Sequence, residues 1–563
     1  MARIPITALG CALLMSILTT ANTAQGGREA RGVFPYRAWA FCVYSHDWDL
    51  LERSVDDAIA RAKDYGINTF ELHDYNMGGR GIVDGSITYK AFPKLAGHKT
   101  LTYRGEVMSL ADKEADYQRF RALAKKIKAA GLKLNVWYHV MRDAPAELSA
   151  DYPEIKDLDS GFLWKYLDGT LREFFERMPE VDRLTITSLH ETPSVMSNTS
   201  AMSRDQRLLK LYDTIYKACR DSGKELVIRD FIVRKEDFDS FLSILDKLPP
   251  DIYVMTKEVL SDWVHQWQAP NPYMWRYAGR KLVVEFDLYG EYWGRMDVPN
   301  CYPQYIYNSI RLLKSYHAVG AVGRVVHEAF RSDNFRSVFE SPNDINCYAF
   351  GRFLSRPIPW IETNGAWSWD IDAFDDSVWM DWAAKRYGAK AAVPVIRALK
   401  RTERIVPLMF DVGGYAFQMH SAAPPPNWSS VVWAPFVDRV RKLGIDYVRD
   451  EKRQACAMVS QCLADVEEAK PALSDADYAQ LRKLFEGELL IARAYQAIAE
   501  GYYQLYLTLS QPDPDGLKKA AQDLASLADE VRGARGETFF CGLAGTLKAQ
   551  SEYVSSGKAP GRK

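Results

Sequence analysis

The sequence contains no CxxC pair, no HExxH motif on a helix and no HxH on its first predicted strand, so the usual structural-zinc and zinc-hydrolase patterns are missing. It has no basic block, and its 563 residues carry a formal net charge of -1, which argues against a nucleic-acid backbone as partner. No glycine-rich phosphate loop follows the first predicted strand, and that removes the dinucleotide-binding signature. Beyond residue 18 no apolar run is long enough for a membrane span. There is no internal repeat. Of 8 cysteines, Cys11 falls in the N-terminal apolar run; the others, Cys42, Cys219, Cys301, Cys347, Cys456, Cys462 and Cys541, are odd in number and scattered. That is not a disulfide framework. Cys456 and Cys462 are spaced so that a pair is open to them, and most of the set read as buried thiols.

What the chain does have is aromatic surface: 15 Trp and 31 Tyr, against an ordinary 47% hydrophobic and 26% charged content. Such rings serve cores, and they also serve as platforms for the C–H faces of sugars. Arg3, an apolar run from Ile4 to Leu18 and small residues in 19-TTANTAQGG-27 read as a secretory signal peptide over 1–24, so the mature protein is expected to be exported, periplasmic or extracellular.

From about residue 36 to 330, short β-branched and aromatic runs alternate with amphipathic segments. The predicted strands are 37–44, 67–72, 132–139, 183–189, 225–231, 251–256, 281–288 and 321–327. Between them, Tyr117, Phe120, Leu123, Ile127 and Ala130 recur at helical spacing before Gly131, and a similar stripe spans 204–223. Eight strands with intervening helices predict an α/β fold, a (β/α)8 TIM barrel, over 33–350. An open doubly wound sheet is the competing architecture. The long connection 76–103 predicts an inserted loop or hairpin near the barrel mouth. Across 351–556 the pattern becomes helical: Leu481, Leu484, Phe485, Ile491, Tyr495, Ile498, Tyr502, Leu505 and Leu509 form one stripe, the core of an α-helical C-terminal domain.

Barrel active sites lie at the C-terminal ends of the strands. The polar residues predicted there are dense, and they include His46, Glu71, His73, Asp74, His139, Arg142, Asp143, His190, Glu191, Arg229, Asp230, Glu258, Asp262, Glu285, Asp287, Glu291, His327 and Glu328. Taken singly, such residues are usually helix caps or satisfied hydrogen-bonding groups; together they predict a polar pocket. In 183-RLTITSLHETPSV-195, Glu191 follows an apolar strand, where desolvation would raise its pKa as a general acid requires. The alternative for Glu191 is a helix cap or an ion pair. In 281-KLVVEFDLYGEYWGR-295, alternation sets Glu285 and Asp287 on one face, while Glu291 lies beyond the strand beside Tyr289, Tyr292 and Trp293. Two carboxyls flanking an aromatic-walled cleft are what glycoside hydrolysis needs, one to protonate the leaving oxygen and one to activate water or attack.

Several segments resemble a known family. The stretch 287-DLYGEYWGR-295, the glycine-rich 320-GAVGRVVHEAFRSDNF-335 with 343-NDINCYAFGRFLSRP-357, the aromatic 378-VWMDWAAKRYG-388 and 257-KEVLSDWVHQW-267 are similar, in order and spacing, to elements of glycoside hydrolase family 67, the α-glucuronidases. Lys257 and Asp262 fall on that family's matching Lys and Asp. The likeness covers roughly residues 130 to 390. It implies a (β/α)8 barrel and an inverting reaction, with Glu191 as general acid and Asp262 and Glu291 as the carboxylates that activate water. Tyr289, Tyr292 and Trp293 would then hold the sugar. By their place at the predicted strand ends, His73, His139, His190 and His327 are expected to line the pocket. The family's basic residue before the acid is missing in 185-TITSLH-190, and Arg229 is the candidate to bind a substrate carboxylate. The alternative for Arg229 is a salt bridge with a barrel acid.

The expected partner is therefore an oligosaccharide or polysaccharide fragment, plant or algal, uronic-acid-bearing ones included, with no cofactor, no metal, no nucleic acid and no transmembrane segment. The oligomeric state stays open, a homodimer among the options. Two other readings remain: a metal-dependent barrel isomerase or amide hydrolase built on the strand-end histidines, and a carbohydrate-binding barrel without catalysis.

Overall fold

The computed structural model describes residues 33–43, 47–74, 81–187, 200–230, 235–259, 270–288, 298–327, 335, 337–356, 362–363, 366–367, 376–417, 423, 426 and 429–559. Eight parallel strands close into a barrel: β1 (Tyr36–Cys42), β2 (Thr69–Leu72), β3 (Lys133–Tyr138), β4 (Arg183–Thr187), β5 (Glu225–Arg229), β6 (Tyr253–Lys257), β7 (Lys281–Asp287) and β8 (Gly320–His327). Each pairs with its sequence neighbours, and β8 returns to β1 with Gly320 opposite Tyr36. A closed sheet has no edge, so the open doubly wound alternative is excluded. Closure is tight at that seam, where a Cβ on Gly320 would overlap the Tyr36 carbonyl.

Helices on the outside cover the apolar outward faces of the strands. They are α1 (Trp48–Tyr65), α2 (Leu110–Ala129), α3 (Phe162–Arg177), α4 (Arg204–Asp221), α5 (Lys235–Leu245) and α6 (Pro303–Ser315). Their ends carry the expected local chemistry. The Asp47 side chain accepts from the Leu50 amide to start α1, Gly66 ends it at φ 84°, and Ser203 with Gln206 forms a capping box on α4. The long β2-to-α2 connection holds two short helices, Ile82–Ser86 and Pro93–Ala96, and an antiparallel hairpin, Thr100–Tyr103 with Glu106–Ser109.

After the barrel come α7 (Asp344–Ser355), α8 (Ser377–Tyr387), α9 (Ala389–Phe410), α10 (Ser429–Leu443), α11 (Ile445–Ala469), α12 (Asp475–Leu507), α13 (Pro514–Arg535) and α14 (Phe539–Ser555). Residue 350 lies inside α7, which packs on the barrel. Buried Asp344 accepts the Tyr65 hydroxyl of α1 at 2.7 Å and the Trp382 indole of α8 at 2.9 Å. One hydrophobic core runs from the barrel through α8 and α9 to Leu481, Leu484 and Phe485 on α12. A second core holds Ile491, Tyr495, Ile498, Tyr502 and Leu505 with α13 and α14. The predicted stripe is thus shared between two cores. Its last member departs from expectation: α12 ends at Leu507, and Leu509 is 59% exposed.

The seven cysteines from Cys42 onward are free thiols, including Cys456 and Cys462. No described helix is long and apolar enough to cross a membrane.

Candidate active site at the mouth of the barrel

Alternation along the strands builds the site. The barrel interior is plugged by Tyr36, Ala38, Ala40, Val227, Met255, Val283 and Val322. Two residues further along β5, β6, β7 and β8, on the same inward face, stand Arg229, Lys257, Glu285 and Arg324. An apolar plug is therefore overlaid by a charged layer toward the C-terminal ends of the strands. Glu285 holds this layer together. One carboxylate oxygen accepts from Arg229 Nε at 2.6 Å, and the other accepts from Arg324 Nε at 2.9 Å and Nη2 at 2.8 Å. Arg229 and Glu285 are each 1% exposed. Burial alone would raise the Glu285 pKa, but Arg229, Arg324 and Lys257 together outweigh it and hold the carboxyl below its ordinary range.

Trp137 lies beside this cluster. The guanidinium carbon of Arg229 is 4.7 Å from its ring and that of Arg324 5.7 Å, both within cation–π range. Its indole N–H donates to Thr187 Oγ1 at 2.6 Å, which fixes the ring on the inward face of β3 and β4. His73 and His139, just past β2 and β3, pack against it: the His73 centroid is 4.7 Å away, and the His139 ring lies at 6.1 Å and 11° from parallel. Deeper in the barrel, Glu71 of β2 accepts from Thr185 Oγ1 at 2.7 Å, and its other oxygen has no hydrogen-bond partner among the described residues. Burial, joined by the charge of Glu285, raises the Glu71 pKa to about 7. Glu285 is thus held ionised, while Glu71 keeps its proton to near neutrality.

A third group of acids flanks this floor. Asp74 and Asp143 crowd Gly81, where a Cβ would stand 3.2 Å from one carboxylate and 3.0 Å from the other. Asp143 accepts from Arg104 Nε of the hairpin at 2.6 Å. Burial, with Asp74 adding, raises the Asp143 pKa to about 6, and burial with Asp143 and Asp74 raises that of Asp84 to about 7.

Of the residues singled out from sequence, His73, His139 and Arg229 come together on this floor. Arg229 is engaged by Glu285, the barrel-acid pairing weighed above. Glu285 faces inward as alternation predicts. His327 ends β8 opposite Cys42, with its side chain outside the described residues. His190 and Glu191, Asp262, and Tyr289, Glu291, Tyr292 and Trp293 also lie outside the described residues, as do His46 and Glu328. In the chain, Glu191 follows the last residue of β4 by four positions, Asp262 that of β6 by five and Glu291 that of β7 by four. Asp230 and Glu258 serve the outer layer instead. Asp230 accepts from Thr256 and Tyr277, and Glu258 from Tyr305 at 2.5 Å and Ser309 at 2.7 Å.

Trp137, Arg324 and Lys257 are not among the site residues read from sequence, although Lys257 falls within the family resemblance. Their signal was there: Asn135, Trp137 and His139 alternate onto one face, and Arg324 interrupts an apolar strand, which a buried cation does only with a partner. Among the described residues no three His, Cys, Asp or Glu side chains are grouped to hold a metal ion.

No family model matches the sequence, and no curated protein matches it. Solved structures do. A GH138 enzyme targeting pectin rhamnogalacturonan II superposes at TM-score 0.61 with 12% identity, over 94% of this chain and 66% of its own length. The chain thus spans slightly less than two thirds of that enzyme. The GH115 4-O-methyl-α-glucuronidase BtGH115A, with specificity for decorated arabinogalactans, matches at TM-score 0.45 and 11% identity, over 94% of this chain and 62% of its own. A mutant O-GlcNAc hydrolase from Thermobaculum terrenum matches at 0.42 and 11%, over 93% and 94%. At these identities the likeness to the GH138 enzyme establishes the shared fold, a (β/α)8 barrel with a helical region after it.

Proposed function

We propose that the protein is a glycoside hydrolase that releases an acidic sugar, a uronic acid, from plant or algal polysaccharide fragments. The observation that carries this reading is the floor of the barrel mouth. Arg229, Arg324 and Lys257 gather around the ionised carboxylate of Glu285, and both guanidiniums lie over Trp137. Among the described residues these three cations gather around Glu285, with Asp287 two positions on along the same face of β7, at the depth where a barrel enzyme binds substrate. A sugar carboxylate about 4 Å from one of these cations gains on the order of 4 kcal/mol at an effective dielectric constant of about 20. A neutral sugar gains none of this. Trp137 backs the two guanidiniums, and the imidazole edges of His73 and His139, packed against it, supply hydrogen-bonding groups for the rest of the sugar ring.

In this reading Glu191 protonates the leaving oxygen while Asp262 and Glu291 activate water on the opposite face of the sugar, the inverting arrangement implied by the resemblance to α-glucuronidases. Tyr289, Tyr292 and Trp293 wall the subsite. The barrel carries the chemistry and the helices beyond it buttress the fold. Export follows removal of residues 1–24. The fold shared with the GH138 enzyme, and that enzyme's pectic target, are in keeping with an acidic polysaccharide substrate.

The test compares uronic-acid-bearing oligosaccharides with the same molecules after carboxyl reduction. Wild-type protein is expected to release product from the acidic set only, and Arg324→Gln to raise KM for it about tenfold or more. Equal turnover of both sets would refute the acidic specificity. Binding of the acidic set without turnover would make the barrel a carbohydrate-binding protein.

A further inference from the structure

The end of β2 and the end of β3 are joined by a contact that the proposed function leaves unused. Asp74, which is fully buried, turns one carboxylate oxygen to His139: that oxygen accepts the His139 backbone N–H at 2.8 Å and lies 3.2 Å from the ring nitrogen Nδ1. Its other oxygen accepts the Ile82 amide at 3.2 Å, and the Ile82 amide also bonds the Asp74 carbonyl at 2.9 Å. The carboxylate is therefore held by two backbone amides from different segments and cannot swing away from the imidazole. The imidazole is fixed in turn. It is 3% exposed, lies nearly parallel to Trp137, and stands 5.0 Å from the His73 ring. A carboxylate at Nδ1 settles which nitrogen carries the proton in a neutral ring, and it stabilises the charged ring if both do.

We propose that Asp74 is a positioning residue of this site, which holds His139 as the Nδ1–H tautomer so that Nε2 is the nitrogen that meets a substrate sugar. The part concerning substrate rests on the glycosidase reading; the tautomer does not. Neutral His139 then offers an acceptor at Nε2 to a sugar hydroxyl, and protonated His139 offers a donor to a sugar carboxylate. The groups that face this pair are Asp143 after β3, Asp84 on the Ile82–Ser86 helix, Tyr138 and His73; behind the two acids stand the cations Arg104 of the hairpin and Arg142, at Asp143, and Lys113 of α2, at Asp84. Two of the acids in that set, Asp143 and Asp84, keep protons to higher pH than ordinary carboxyls, because they are buried near Asp74.

The decisive experiment is side-chain nitrogen NMR on the full chain labelled with ¹⁵N-histidine. The sequence has 9 histidines, and the His139 signals are assigned by their loss in His139→Gln. In wild type the neutral ring is expected to carry its proton on Nδ1, and in Asp74→Asn the His139 pKa is expected to fall by about one unit or more. The kcat/KM profile on an acidic oligosaccharide should shift its His139-dependent limb the same way in Asp74→Asn, with partial recovery in Asp74→Glu. A wild-type Nε2–H tautomer, or a His139 titration unmoved in Asp74→Asn, would overturn the proposal. If Asp74→Asn does not fold, the wild-type tautomer and the Asp74→Glu titration decide alone. If no oligosaccharide is turned over, the spectra still decide the Asp74–His139 pairing, and only the glycosidase reading fails.

Discussion

Replacing Glu71 with Gln should stabilise the protein, and only at neutral to alkaline pH. Glu71 is fully buried, and its folded-state pKa is raised from 4.5 to about 7, first by burial and then by Glu285. In the unfolded chain the same carboxyl ionises near 4.5. Between these values the folded state binds the extra proton, so wild-type stability falls as pH rises from about 4.5 and the loss is complete above about 7. At about 1.4 kcal/mol per pH unit, the interval corresponds to roughly 3 kcal/mol. Gln has the shape of the protonated acid, still accepts from Thr185 Oγ1, and has no charge to bury. Unfolding entropy of about 2.1 cal/mol/K per residue, over 563 residues, converts roughly 3 kcal/mol into about 2–3 °C of Tm. Calorimetry at about pH 5 and about pH 8.5 should therefore find Glu71→Gln close to wild type at the lower pH and higher in Tm by that margin at the upper. A Tm difference that is the same at both pH values, or larger at the lower one, would mean that Glu71 does not hold its proton in the folded state.

Other outcomes follow from the same packing. Glu285→Leu strands Arg229 and Arg324 without their carboxylate and should cost about 3–5 kcal/mol, lowering Tm by roughly 3–4 °C in the same scans. Lys452→Met removes a buried ammonium that caps the end of α9 through the carbonyls of Leu408, Met409 and Asp411 and pairs with Glu451; a loss of about 2–4 kcal/mol should appear in urea denaturation. Gly351→Ala pushes a methyl into the Tyr65 carbonyl where α7 crosses the end of α1, and it should destabilise by about 2 kcal/mol or more, whereas Gly533→Ala, which meets nothing, should be neutral or slightly stabilising. Trp137→Ala should weaken binding of acidic oligosaccharides about tenfold or more, by removing the surface over which both guanidiniums lie.

The strand pattern made the barrel legible because burial on both faces leaves continuous β-branched runs, and helical spacing between them leaves few alternatives. Alternation also assigned Glu285 its inward face. The same rule would have found Trp137 and Arg324, but attention to strand ends passed over residues one layer deeper. Arg229 shows the limit of reading residues singly: a guanidinium suited to a substrate carboxylate is equally suited to Glu285, and which one it meets depends on two strands 56 positions apart in the chain. The Asp74–His139 contact is hidden for the same reason, since the partners end different strands. The helical region's joint core with the barrel was also beyond sequence, because the stripe on α12 names a buried face without naming what covers it. Leu509 illustrates the converse, a residue in phase with the stripe but past the helix end.

In the proposed function, carboxyl groups on the segments that follow β4, β6 and β7 hydrolyse an acidic glycoside. The most direct measurement is uronic acid release from glucuronic-acid-decorated xylo-oligosaccharides and other uronic-acid oligosaccharides, with chelator present, by wild type, Glu191→Ala, Asp262→Ala and Glu291→Ala. Wild type is expected to release uronic acid at a rate that chelator leaves unchanged, with a loss of about a hundredfold or more in each variant. Release that survives all three substitutions, or that follows added metal, would contradict the proposed function and transfer the chemistry to the histidines.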